Sequence, residues 1–196
     1  MSSPRGGTCF PFLCDNPFMN LFKTQKSAWV TTCVYVAAIF LTLEPVGSLQ
    51  LWLKRHGWQT FTSDVLLIGA ILAILYLIVV RLGRRSAIDL TTLAAAGVMY
   101  AYIMISFAPH PSDRIHLIEY SALAVALYYS LRFHISMKFV YVLSWAATTL
   151  IGLVDEVIQS RLPTRTYDLN DAMINAMAAG VALTVVGFVI EESGKS

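Results

Sequence analysis

The sequence predicts an all-α fold, a polytopic transmembrane helical bundle of about six spans. Three observations carry that expectation. Hydrophobic residues make up 57% of the 196 positions and charged residues 13%, with a mean hydropathy of +0.64, far from the balance of a water-soluble domain. Six apolar stretches have the ~20 residues that a helix needs to cross a hydrocarbon core ~30 Å thick. The ionisable residues fall between these stretches or at their ends. The formal charge of +2 is small and the basic residues are scattered, so no nucleic acid partner is expected. Cys9, Cys14 and Cys33 show neither CxxC spacing nor an even count, which supports neither a zinc site nor a disulfide framework.

Residues 1–26 lack the apolar core of a signal peptide. Pro4, Gly6, Gly7, Pro11 and Pro17 interrupt them and Lys23 and Lys26 close them, so they read as a cytoplasmic N-terminal tail. Spans follow at 27–46, 64–82, 87–107, 115–133, 138–159 and 171–190. Pro45 and Gly47, then Gly83, Pro109 with Pro111, and Pro163 punctuate them. The third is the least securely defined. The organisation expected is a tail at 1–26, N-terminal transmembrane helices at 27–110, a transmembrane core at 111–190 and a second tail at 191–196. With six spans, Arg5, Lys23, Lys26, Arg81, Arg84, Arg85, Arg132, Lys138 and Lys195 fall on one side, and Lys54, Arg55, Arg114, Arg161 and Arg165 on the other. The positive-inside rule then makes this a multi-pass protein of the inner (plasma) membrane with both termini cytoplasmic.

Ionisable groups inside a span are costly and point to function. On the fifth span, Gly152, Asp155, Glu156 and Gln159 share one helical face, which Trp145, Thr148 and Thr149 continue inward. His116, Glu119, Tyr120 and Leu123 have the same spacing on the fourth. Asp171 and Asn175 share a face of the sixth, joined by Asp168 if that helix starts a turn early. All three polar ends lie on the same, extracytoplasmic side. Asp113, Glu119, Asp155, Glu156, Asp168 and Asp171, half of the twelve acids, gather there with Arg114, Arg161, Arg165 and His116. Each has a plainer reading as well. Tyr120 suits an aromatic belt, Asn175 suits interhelical packing, and Asp155 and Glu156 suit an ion pair with Arg161 or Arg165.

The C-terminal eighty or so residues resemble the VanZ-like family of integral membrane proteins. The resemblance rests on His116 with Tyr120, then Glu156-x-x-Gln159, Pro163-x-Arg165, Asp171 and Asn175. Two positions depart from the family pattern: Asp113 and Arg114 stand one residue too close to the histidine, and Ala178 replaces a usual glycine. The resemblance implies a cell-envelope role, the namesake being associated with glycopeptide-antibiotic resistance, and leaves the reaction open.

Two classes of function fit. As an enzyme, the cluster would act on a lipid-linked envelope precursor, with Glu156 or Asp155 as general base, His116 as acid or second base, Arg165 clamping a phosphate or carboxylate, and Tyr120, Gln159, Asp171 and Asn175 binding ligand. No nucleophile stands out. The acids can also hold a divalent cation, although one histidine selects no particular metal, and no cofactor is specified. As a non-catalytic accessory subunit, the chain would pack against a partner membrane protein, such as one of a pigment-protein complex. Small residues at Thr148/Gly152, Ala176/Gly180 and Ala178/Ala182 would make that contact, or else pack the chain's own helices.

Overall fold

The computed structural model describes residues 22–162 and 168–191, which form six helices with no strand among the described residues. They are α1 (Gln25–Arg55), α2 (Gln59–Leu75), α3 (Ala87–Ser106), α4 (Asp113–Leu131), α5 (Met137–Gln159) and α6 (Leu169–Val185). Wider turns at Tyr76–Arg81 and Val186–Glu191 extend α2 and α6. Local chemistry sets the starts. Thr24 with Ser27 forms a capping box on α1, and Ser86 with Asp89 forms one on α3, each satisfying two backbone donors that would otherwise lack partners.

The first helix runs nine residues beyond the expected end at position 46. Pro45 lies inside it, and the stop comes at His56 and Gly57, whose φ is 73°. A proline inside a membrane helix is tolerated because packing and neighbouring groups compensate the lost hydrogen bond. At 1.5 Å per residue the 31-residue α1 is about 46 Å long. Five helices, α1, α2, α3, α5 and α6, are long and apolar enough to cross a membrane, α5 counted from Phe139 and α2 and α6 with their terminal turns. The third, the least securely defined by sequence, is among them. The helix that falls short is α4, with Asp113, Arg114, His116 and Glu119 in its first two turns.

Packing explains how α4 can be so polar. It lies at the centre of the bundle, packed most extensively on α6 and then on α5, α1 and α2. Tyr120, Leu123, Ala124 and Tyr128 on it are fully buried. Alanines let the central helices approach closely: Ala124 and Ala126 on α4 face a core that includes Ala179 of α6, and Ala178 packs with Ile103 of α3.

The helices alternate in direction, giving two ends of different character. At one end Arg132 pairs with Glu191 at 2.9 Å, Arg84 donates to the Ile190 carbonyl at 3.0 Å, and the Trp29 indole donates to His134 at 3.1 Å. The other end collects the C-terminal turns of α1, α3 and α5 and the N-terminal turns of α2, α4 and α6. Arg114 there pairs with Asp64 of α2, and Asn170 donates to the Phe107 carbonyl at the end of α3.

Candidate functional site

The second end holds the polar cluster, and three helices build it. Pro109 and Pro111 break the chain before α4, whose first residue, Asp113, is buried and accepts from the His110 amide at 3.1 Å and the Ser112 hydroxyl at 3.0 Å. It precedes the span itself. Burial raises its carboxyl above the ordinary range, against the lowering effect of those two hydrogen bonds. One turn on, His116 points inward and is buried, and Tyr120 follows beneath it.

On α5 the polar face is almost wholly enclosed. Asp155, Glu156 and Gln159 are at most 1% exposed. Asp155 Oδ2 accepts from the Tyr120 hydroxyl at 2.7 Å and from Gln159 Nε2 at 2.9 Å. Those two donors fix Asp155 as the element that ties α4 to α5. Glu156 Oε2 instead accepts the Asp168 amide at 3.3 Å, where the chain enters α6. Asp171, one turn into α6, brings Oδ2 to 3.8 Å from His116 Nε2. His116, Glu156 and Asp171 thus offer ligating atoms that all lie within 4.8 Å of one another. The N-terminal ends of α4 and α6 add positive dipole ends near these carboxylates.

Asn175 continues the same face of α6 and is fully buried. Neither its Nδ2 nor its Oδ1 has a hydrogen-bond partner among the described residues. Its close neighbour is Gly152: a Cβ there would meet Asn175 Nδ2 at 2.9 Å, Asn175 Cβ at 3.1 Å and Tyr120 Cε1 at 3.2 Å. Hydrogen at position 152 is therefore what lets α5 close on α4 and α6. A cavity of about 20 Å³, the size of one water, opens beside the cluster on the α1 side. Its polar lining comes from Thr42, Gln50, Ser112, His116, Glu119 and Gln159.

Seven of the eight residues singled out by sequence, His116, Tyr120, Asp155, Glu156, Gln159, Asp171 and Asn175, come together here. The eighth, Arg165, lies outside the described residues, as does Pro163. Several neighbours differ from expectation. Arg114 turns to Asp64 on α2, a residue in whose favour nothing in the spacing speaks, and Arg161 is exposed. Asp168 does not extend the α6 face; it is the N-cap, exposed, and accepts from the Asn170 amide at 2.8 Å. Thr148 continues the buried stripe inward, joined by Ser144, whereas Trp145 is exposed and donates to the Ala176 carbonyl at 2.9 Å. Gln50 was hidden from sequence reasoning because Pro45 placed it in a loop. Of the small residues read as contacts for a partner or for the chain's own helices, Gly152 packs against Asn175, Gly180 lies near Trp145, and Ala178 and Ala182 are in the core.

Compared with protein-family models, curated proteins and solved structures, the chain gives no match to any of them.

Proposed function

We propose that this chain is a VanZ-like integral membrane protein whose polar site, at the extracytoplasmic face of the plasma membrane, binds or acts on the polar head of a lipid-linked or glycopeptide-type envelope ligand. The observation that carries this reading is the convergence of seven polar side chains from three helices at one end of an otherwise apolar bundle. Buried ionisable groups at membrane depth are costly to keep unless they serve a site. The orientation rests on the basic residues gathered at the opposite end, which the positive-inside rule assigns to the cytoplasm.

Within this reading His116 and Glu156 are the groups that face the ligand. Asp171 lies 3.8 Å from His116 Nε2, and the Asp168 amide holds Glu156. Tyr120, Asp155 and Gln159 form the rigid floor. The water-sized cavity is too small for a headgroup; Arg165, which the sequence sets between α5 and α6, is the cation this reading assigns to a phosphate or carboxylate.

The test uses the purified full chain in mild detergent, with a polyprenyl phosphate or a lipoglycopeptide added and thermal unfolding measured. Stabilisation of the native chain, lost in His116→Gln and Glu156→Gln, is expected. The reading falls if neither compound stabilises the native chain, or if the protein purifies only as a stoichiometric subunit of another membrane protein.

A further inference from the structure

We infer that His116, Glu156 and Asp171 form a site for a divalent first-row transition ion such as Zn²⁺ or Mn²⁺. The inference deepens the reading above and uses the same end of the bundle. Three separate helices each supply one ligating group, and the three atoms already lie within 4.8 Å of one another. Two ligands held about 2.0–2.5 Å from a shared ion are up to about 4–5 Å apart, so little movement is needed to close the site. The separation of His116 Nε2 and Asp171 Oδ2, 3.8 Å, is longer than a hydrogen bond and suits two groups that share an ion between them. Imidazole in the set disfavours Mg²⁺ and Ca²⁺ and suits borderline Zn²⁺, while the two carboxylates also suit the harder Mn²⁺.

Two further observations point the same way. Asn175, fully buried, directs a carboxamide without hydrogen-bond partners among the described residues into the seam one turn from Asp171. Such an unpaired, fully buried carboxamide on the same helical face, four residues from Asp171, is what an unfilled polar site would leave. The cavity that reaches His116 from the α1 side has room for one water and a polar lining. A divalent charge would also answer the electrostatic problem of two carboxylates drawn together in a medium of low dielectric. Backbone geometry prepares Glu156 for this, since the Asp168 amide fixes one of its oxygens.

The experiment strips the purified full chain with a chelator, then titrates Zn²⁺ and Mn²⁺ and measures bound metal by elemental analysis. One ion per chain is expected, with affinity reduced at least about tenfold in Glu156→Gln and Asp171→Asn, since even second-shell changes cost that much. Asp64→Asn, which removes a carboxylate at the same end but outside the cluster, should bind as the native chain does. Absence of a stoichiometric ion on the native chain overturns the inference, as does full occupancy in both cluster variants. Pulsed EPR of the Mn²⁺-loaded native chain needs no variant to fold: coupling to an imidazole nitrogen supports the site, and its absence refutes it. Metal binding without stabilisation by polyprenyl phosphate or lipoglycopeptide would leave this inference standing and defeat the ligand reading. Stabilisation of a native chain that binds no stoichiometric metal would do the reverse.

Discussion

Gly152→Ala is the sharpest test of how the cluster is assembled. The added Cβ would sit 2.9 Å from Asn175 Nδ2, 3.1 Å from Asn175 Cβ and 3.2 Å from Tyr120 Cε1. Asn175 Cβ is attached directly to the α6 backbone and the tyrosine ring is fully buried, so neither moves aside without shifting a helix. Overpacking of this kind costs about 1–3 kcal/mol. Alanine also gains about 1 kcal/mol over glycine in a helix interior, and a matched control removes that contribution. Gly180→Ala on α6 is such a control, because the nearest atom to its new Cβ is Trp145 Nε1 at 3.8 Å, an ordinary contact. Gly152→Ala should therefore be less stable than Gly180→Ala by about 1–3 kcal/mol, the propensity gain being common to both. Unfolding of both purified variants in the same detergent, followed by helical circular dichroism, measures the difference. Equal stability would show that α5 does not press on α4 and α6 at this point, and the account of the site's closure would fail.

Three further outcomes are expected. Tyr120→Phe removes the hydroxyl that donates to Asp155 at 2.7 Å and should cost about 1–3 kcal/mol in the same unfolding assay; a stability equal to that of the native chain would refute the proposed tie between α4 and α5. In a chain with its native cysteines replaced by serine, Arg161→Cys, at an exposed position, should react with a membrane-impermeant thiol reagent applied to intact cells, while Arg85→Cys, exposed at the opposite end, should not; the reverse pattern would invert the orientation. Arg165→Ala should lower the melting temperature more than Arg161→Ala, with Arg165→Lys restoring it only in part because an ammonium cannot reproduce a guanidinium fork; three equal values would show that Arg165 meets only solvent.

The sequence made the helical architecture and the inward-facing acids legible for a simple reason. Apolar length identifies membrane helices, and a 3.6-residue period places Gly152, Asp155, Glu156 and Gln159 on one face without knowledge of neighbours. Other features depend on partners that periodicity does not reveal. Arg114 was grouped with the cluster because it adjoins Asp113 and His116 in sequence, yet a helix sends successive side chains about 100° apart, and Asp64 of α2 lay within its reach. Pro45 reads as a break, but a membrane helix with packed neighbours can carry a proline, and the extra turns bring Gln50 to the cavity. The division of labour among the acids was equally invisible: spacing made Asp155 and Glu156 equivalent, whereas Tyr120 and Gln159 engage the first and the α6 entry engages the second.

The central position of α4 has a consequence for how the chain is made. Its two most extensive partners, α6 and α5, are synthesised after it. When α4 leaves the ribosome, a helix carrying Asp113, Arg114, His116 and Glu119 emerges while its eventual packing surfaces do not yet exist. Charged residues cost a few kcal/mol each at the translocon when they lie deep in the helix, and less near its end. Stable packing of α4 is thus a late event, coupled to the arrival of α5 and α6. A chain truncated after residue 135 should hold α4 only loosely, so that limited proteolysis would cut it within 113–131, where the full chain is protected.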